Sequence, residues 1–440
     1  MEQYTIQASS AEELVRSVEA GVARGALAPG QRLPSVRRLA TQVGLSPATV
    51  AAGLSELRRR GVVLSEQRRA TRITPAPPIS APPTIVPVPT GARDLSRGNP
   101  DPALLPGISR ALAHASARIH LYGEPPADAE LSALAAAKLR ADGIPADSLC
   151  VVSGALDGIE RVIGAHLRSG DVVAVENPGY AALYDLLRAH GLALRAVAID
   201  ERGMIPDELH AALGDGARAV VITPRGQNPT GAALDAARAS ELRAVLARAP
   251  HALVIEDDHL GAHAPERLHT TLPAPARWAA TRSVAKALGP DLRLAILTGD
   301  PLTVARVQGR QQCGPGWVSH ILQQLVLGLW SDPRVVALVA RAGATYARRR
   351  ERFLRCLAER GIAATGRSGL NVWIPVGDEA STAGALLQRG WVVAAGASYR
   401  LPGSVPAIRV TIATLSGREP ERLADALREV LSGARAARTG

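Results

Sequence analysis

The chain has 440 residues, an apolar fraction of 47% and a formal net charge of +11. That length exceeds what one small core organises and favours roughly two to three domains, while the positive balance speaks to attraction for an acidic partner and not to fold. No stretch reads as a signal peptide or a membrane span. Cys150, Cys313 and Cys356 are odd in number and lack metal-ligand spacing, so a reducing cytoplasm and no metal site are expected.

The first element in chain order is a helix with apolar residues at Leu14, Val15, Val18 and Val22, stopped near Gly25. After a turn at Pro29-Gly30, a second helix runs from about Ser35 to Val43 and breaks at Gly44. Ser46-Pro47 then supplies a cap and a first-turn proline for a third helix ending at Gly61. Two short helices joined by a glycine turn are the helix-turn-helix pattern. Val62-Val63-Leu64 and Arg72-Ile73 read as short strands around the basic segment from Glu66 to Thr71, which is the shape of a wing. In such a module the start of the recognition helix meets base edges, which assigns Ser46, Ala48 and Thr49 to the groove. Arginines at helix ends and in the wing meet phosphates, which assigns that task to Arg37, Arg68 and Arg69. The head is therefore expected over residues 1–73, with double-stranded DNA as its partner.

Thr74 to Ala92 carries seven prolines and no charge, the composition of an extended, semi-rigid linker. From 93 to 440 short apolar runs alternate with helical stretches. Leu149–Val152, Val172–Val175, Ala219–Ile222, Leu253–Ile255 and Leu294–Leu297 read as buried strands, and Ala155–Arg168 and Ala181–His190 as amphipathic helices between them. Alternation of this kind predicts an α/β domain with a largely parallel sheet covered on both faces, spanning about 145–330. A long helix after Asp332, strands near Leu370–Pro375 and Ala407–Ala413 and a closing helix from Pro420 predict a smaller α/β subdomain.

Only Lys138 and Lys286 are lysine among the 51 basic residues. A primary amine can lose its proton and attack a carbonyl, and a guanidinium cannot replace it there. Lys138 sits in a helical run and reads as a surface charge. Lys286 follows a strand candidate, Trp278–Thr281, and lies between Ser283 and Arg293. Amine, hydroxyl and guanidinium so placed suit a phosphorylated aldehyde. Ser153-Gly154-Ala155 turns a strand into a helix N-terminus, where backbone N–H groups bind phosphate. Asn228-Pro229-Thr230-Gly231 and Glu256-Asp257-Asp258 end strands at what should be the same sheet edge. Asp257 could keep a pyridine nitrogen protonated and Asn228 could bond a ring hydroxyl, although either residue alone could equally be a turn or strand-end residue.

The segment GALAPGQRLPSVRRLATQVGLSPATVAAGLSELRRRGVV resembles the winged helix-turn-helix of the GntR family. The pieces LSRGNPDPALLP, LYGEP, VVSGALDG, VAVENPGY, QNPTG, VIEDD, SVAKALGPDLRLA and AIRVTIA resemble a fold-type I, class I aminotransferase. Head, proline-rich linker and body together resemble the MocR subfamily of regulators. The resemblance implies a body that binds pyridoxal 5'-phosphate on Lys286, with Asp257 on the ring nitrogen, Asn228 on the ring hydroxyl and Tyr180 stacked on the ring. Ser283, Arg293, Gly154 and Ala155 would hold the phosphate. Tyr122 would reach across from the other subunit, and Arg409 would take the carboxylate of an amino-acid effector. It also implies a head-to-tail homodimer.

In the head, Pro47 stands where many members have a DNA-contacting arginine and Arg69-Ala70-Thr71 where they have a glycine-rich wing tip; the body departs from the family pattern at three places. His259 stands where a tyrosine usually meets the ring hydroxyl, Ala155-Leu156-Asp157 replaces a common Ser-Gln-Gln, and Ala285 replaces a serine before the lysine. These changes favour holding and sensing a cofactor, with at most partial pyridoxal chemistry. The expected function is a pyridoxal-phosphate-responsive, DNA-binding transcription regulator. Two alternatives stand beside it: a working aminotransferase with a DNA-binding appendage, and a cofactor-free dimerisation scaffold.

Overall fold

The structure, a computed structural model, describes residues 4–59, 62–64, 71–74, 88–114, 119–261, 266–274 and 277–439. Arg68, Arg69 and most of the proline-rich stretch lie outside the described residues. The chain divides into two compact units, one made of the residues up to 85 with Leu167–Val172 and Tyr184–Leu194, the other of the remainder.

In the head, helices α1 (Ala11–Ala23), α2 (Val36–Val43) and α3 (Pro47–Arg59) are followed by strands β1 (Val63–Leu64) and β2 (Arg72–Ile73). Local chemistry sets the helix ends. The Ser35 hydroxyl accepts from the Arg38 N–H at 3.4 Å, and α2 ends on Gly44 at φ +71°, a left-handed conformation that glycine adopts without a Cβ penalty. Two residues on, the Ser46 hydroxyl accepts from the Thr49 N–H at 3.1 Å and caps α3. Leu14, Val18, Leu39, Val50, Leu54 and Leu57 pack with Val63 and Ile73 into one buried core. β1 and β2 pair antiparallel, Val63 opposite Ile73, so both apolar side chains fall on the inner face.

The body opens with β3 (Arg93–Asp94), α4 (Ser109–His114) and α5 (Ala129–Ala141). The large sheet and its helices follow as β4 (Leu149–Val152), α6 (Ala155–His166), β5 (Val172–Asn177), α7 (Ala181–Ala189), β6 (Ala193–Asp200) and β7 (Gly203–Met204). They continue as α8 (Pro206–Gly214), β8 (Ala219–Ile222), α9 (Ala236–Ala247), β9 (Leu253–Asp258), β10 (Arg277–Ser283), α10 (Ala285–Leu288) and β11 (Ala295–Gly299). The strand order is β4-β11-β10-β9-β8-β5-β6-β7. Strands β5, β8, β9 and β10 run parallel, each with a buried apolar run, and β5, β9 and β10 turn polar toward their carboxyl ends.

The sheet is largely parallel, as expected, with one reversal inside it: β11 runs antiparallel to both β10 and β4. Its reason is chain length. Residues Val284 to Leu294 hold only one helical turn and a short 3-10 turn, too little for the crossover that a parallel return demands. The chain therefore doubles back and places Lys286 at the sheet edge.

Helices α11 (Pro301–Gln312) and α12 (His320–Ser331) lead to α13 (Pro333–Ala358), which is capped by the Asp332 carboxylate accepting from the Arg334 N–H at 2.8 Å. The smaller subdomain adds β12 (Asn371–Pro375), α14 (Glu379–Gln388), β13 (Trp391–Val392), β14 (Ala394–Ala395), β15 (Ala407–Thr411) and α15 (Glu419–Thr439). β12, β15 and β14 form a three-stranded antiparallel sheet. One of its faces is buried with Phe353, Leu357, Leu423 and Leu427 of α13 and α15. β3 pairs parallel with β13. Among the described residues no helix is long and apolar enough to cross a membrane, and no cluster of His, Cys, Asp and Glu could hold a metal ion.

Candidate cofactor site and DNA-binding head

The carboxyl ends of the parallel strands meet the smaller subdomain around a cavity of ≈ 370 Å³, a size suited to a small-molecule ligand. Ala155, Tyr180, Asn228, Asp257, His259, Ser283, Lys286, Arg293 and Arg409, all singled out in the sequence, line it.

Strand alternation sorts the acidic triplet at the end of β9. Glu256 and Asp258 share one face and are consumed by the fold. The Glu256 carboxylate accepts from the Thr271 N–H and hydroxyl at 2.6 and 2.7 Å and from the Thr270 hydroxyl at 2.7 Å. Asp258 accepts from Arg225 Nε and Nη2 at 2.9 and 3.0 Å and from Arg282 Nε at 2.8 Å. These guanidiniums hold its carboxyl well below the usual carboxylate range against the desolvation of burial. Asp257 faces the opposite way, toward the cavity. It has one hydrogen bond, from the Thr281 hydroxyl at 3.1 Å, and burial pushes it up to about 7. A buried carboxyl with no cation beside it fits a protonated ring nitrogen.

Lys286 begins α10 just past β10. Its Nζ donates to the Gly98 carbonyl at 2.5 Å. Burial and the nearby Arg409 charge lower its pKa to about 8, so far more of the amine is neutral at physiological pH than on an exposed lysine. His259 is likewise held down to about 4, first by burial and then by the Lys286 charge, so a neutral imidazole occupies the position next to the amine. Tyr180 flanks the cavity, its hydroxyl raised by burial and by Asp257.

The phosphate end is built by backbone geometry. Gly154, at φ +107°, admits the Arg293 guanidinium: a Cβ there would lie 3.0 Å from Arg293 Nη2. Arg293 itself sits in the left-handed region at φ +43°. Ala155 starts α6, whose N-terminal N–H groups favour an anion. The Asp157 carboxylate accepts from the Ser153 N–H at 2.9 Å and is paired with Arg161, which offsets the charge that the altered turn brings. Ser283 Oγ accepts from the Ala285 N–H at 3.2 Å.

At the other end Arg409 of β15 donates to Asn228 Oδ1 at 2.9 Å and to the Ser96 carbonyl, with its guanidinium 4.8 Å from the Tyr399 ring centroid. Its Nε is buried with no hydrogen-bond partner. Asn228 thus spends its oxygen on Arg409 and keeps its amide N–H groups for the cavity. Sequence reasoning missed Gly98, Ser96 and Tyr399. The first two lie in the quoted LSRGNP stretch, whereas Tyr399 carried no local signal.

Tyr122 is not brought to the cavity of its own chain. It is 93% exposed and stands edge-on to Trp317. In the head, Arg37, Ser46 and Ala48 are exposed and Thr49 half-buried. The Thr49 hydroxyl lies 2.8 Å from that of Ser46, so capping occupies part of its hydrogen-bonding capacity.

A winged helix-turn-helix on a body that gathers Lys286, Asp257, Arg293 and Arg409 around one cavity defines a regulator with an aminotransferase-type body. Residues 10–73 match the family of bacterial regulatory proteins named gntR and residues 92–427 match the aminotransferase class I and II family. The chain belongs to the GntR-type transcription regulators that carry an aminotransferase class I and II body, the MocR arrangement. It is 39% identical, over 97% of its length and 100% of the relative's, to the vitamin B6 salvage pathway transcriptional repressor PtsJ of Salmonella typhimurium. It is 28% identical to the HTH-type transcriptional regulator TauR of Rhodobacter capsulatus, over 82% of each chain.

Among solved structures, the body has the fold of LysN, an α-aminoadipate aminotransferase of Thermus thermophilus complexed with N-(5'-phosphopyridoxyl)-L-leucine. The TM-score is 0.68 at 21% identity, covering 80% of this chain and 94% of that one. The kynurenine aminotransferase of Pyrococcus horikoshii gives 0.72 at 20%, covering 79% and 92%. Pyridoxal phosphate is the cofactor of this class of body, and the donor set here fits it.

Proposed function

We propose that the chain is a cytoplasmic, homodimeric transcription regulator whose DNA affinity responds to pyridoxal phosphate and to an amino compound bound beside it. The observation that carries this reading is the convergence of Lys286, Asp257, Arg293 and Arg409 on one cavity in a chain with a DNA-binding head. The likeness to PtsJ supports vitamin B6 salvage as the regulated process.

When bound, the cofactor supplies an aldehyde that bonds a primary amine and a ring that withdraws electrons from it. Lys286 presents that amine with its pKa lowered to about 8, so a larger share of it is unprotonated than on an exposed lysine. Asp257 would hold the proton on the ring nitrogen, the Asn228 amide and the neutral His259 ring would serve the ring hydroxyl, and Tyr180 would pack against the ring. Ser283, Arg293 and the α6 N–H groups at Gly154 and Ala155 neutralise the phosphate. Arg409 presents its fork to an effector carboxylate. The exposed run of Ile119, Leu121 and Tyr122 supports a second subunit covering it, with Tyr122 reaching the neighbouring cavity in a head-to-tail dimer. Arg37, Ser46, Ala48, Thr49, Arg68 and Arg69 are assigned to DNA.

Coupling requires that the ligand bind two conformations unequally. A duplex selected by the full chain from a random pool should be bound with a different affinity when pyridoxal phosphate is added. Lys286→Ala should bind that duplex and be blind to the cofactor, whereas coincident binding curves for the parent chain would refute the proposal. The depressed Lys286 amine favours one second reading, a working aminotransferase with a DNA-binding head. Sustained turnover of an amino acid with a keto acid selects that reading, and a single half-reaction does not.

A further inference from the structure

Helix α13 holds seven arginines and sorts them by direction. Arg349, Arg350 and Arg352 point to neighbouring elements and each meets a carboxylate: Asp101 at 2.8 Å, Glu266 at 3.1 Å and Glu421 at 2.7 Å. The other four, Arg334, Arg341, Arg348 and Arg355, recur every seventh residue and are all exposed. Among the described residues none of these four has an acidic partner. A seven-residue step drifts only about 20° around an α-helix, so the four stay on one face, in a row roughly 31 Å long at 1.5 Å per residue.

A solvated helix face ordinarily mixes both signs of charge, with acids three or four residues from bases. Only Glu351 and Glu359 stand three or four residues from these arginines, so the face keeps a net positive charge, most of all around Arg334 and Arg341. Beside its C-terminal half, a cavity of ≈ 440 Å³ is lined by Arg348, Arg349, Arg352 and Arg355, with Thr345, Ser416 and one carboxylate, Glu351. Guanidiniums and hydroxyls around a cup of that kind suit a phosphate group.

We propose that this face of α13 is a second, sequence-independent contact for the phosphate backbone of duplex DNA, carried by the body and not by the head. The row is nearly as long as one turn of duplex, about 34–36 Å. The head binds DNA, and the nineteen-residue linker Thr74–Ala92 reaches at most about 65 Å. Duplex held by the head is therefore presented to the body at high effective concentration. The proposal adds an interaction to the regulator reading and does not depend on the cofactor.

The test uses the full chain and a random-sequence duplex on the order of 40 base pairs, long enough for several helical turns. Binding is followed by fluorescence anisotropy between about 50 and 200 mM KCl. The variant Arg334→Gln/Arg341→Gln/Arg348→Gln/Arg355→Gln should reduce the salt-dependence slope by about 3 to 4, since each phosphate contact contributes about 0.9. The corresponding quadruple lysine variant should keep most of the slope. Two double variants, at 334 with 341 and at 348 with 355, should each remove about half of the effect, which keeps the test decisive if the quadruple glutamine variant misfolds. An unchanged slope and affinity in the glutamine variants overturns the proposal. So does an unchanged DNA slope accompanied by lost binding to phosphatidylserine vesicles, which assigns the face to a membrane surface. The same α13 changes made in an Arg37→Gln background read the head's contribution separately.

Discussion

Replacing Asp257 by asparagine separates what this carboxyl does to the fold from what it does for the cofactor. The group is buried, receives one hydrogen bond from Thr281 and has no cation beside it, and burial raises its pKa from 3.8 to about 7. Because the folded-state pKa lies above the unfolded one, the folded chain binds the extra proton. Stability from this group is fully present below about pH 4, is lost as pH rises to about 7 and is flat above that. A gap of about 3 units corresponds to about 4 kcal/mol as an upper size.

Asparagine can accept the same Thr281 hydrogen bond and has nothing to ionise. The cofactor-free variant should therefore be more stable than the parent at pH 8, by a few kcal/mol at most, and nearly equal to it at acid pH. With pyridoxal phosphate present that advantage shrinks. Losing a charge-assisted hydrogen bond to the ring nitrogen, about 1.5–3 kcal/mol, should weaken cofactor binding by about ten- to a hundredfold. Denaturant titration of the cofactor-free chains at pH 5 and pH 8, with absorbance titrations of cofactor binding, measures both. An asparagine variant that is less stable than the parent at pH 8, or that binds the cofactor equally well, would refute the reasoning.

The neighbouring Asp258→Asn should do the opposite. It leaves the buried guanidiniums of Arg225 and Arg282 short of charge, at a cost of about 3–5 kcal/mol, seen as a lower melting temperature with the cofactor spectrum intact in the folded fraction. Since the folded pKa of Asp258 is depressed, its stabilisation is present above the ordinary carboxylate range and is lost only as pH falls through the depressed value. For Lys286, borohydride-trapped attachment of pyridoxal phosphate should speed up with pH and level off near its pKa of about 8. A rate still rising at about pH 10, where an exposed lysine titrates, contradicts the assignment, and Lys286→Ala should trap nothing. Gly154→Ala puts a Cβ 3.0 Å from Arg293 Nη2 at φ +107°. Affinity for pyridoxal phosphate should drop at least about tenfold while affinity for pyridoxal, which lacks the phosphate, stays level; equal losses for both would show general damage to the site.

Much of this protein is written locally. A cap and a glycine stop act within one helical turn, so Ser35, Gly44 and Ser46 marked the head's helices without knowledge of the fold. The shortage of lysine isolated Lys286, and the strand-to-helix turn at Gly154 marked a candidate anion site, because both depend only on residue type and immediate neighbours. The direction of β11 was not legible, because an apolar run looks alike whichever way it points, and the short connection that carries Lys286 decided it.

Tertiary structure alone settled which side chains share a space. Asp257 and Asp258 are chemically the same residue, yet β9 turns one to the cavity and the other to two guanidiniums. Asn228 and Arg409 are 181 residues apart and meet only because the smaller sheet packs over the strand ends. The matched and unmatched arginines of α13 differ in nothing but the direction in which the helix presents them. Residue type sets what a group can do, but burial and the nearest opposite charge set what it does, and both are properties of the folded chain.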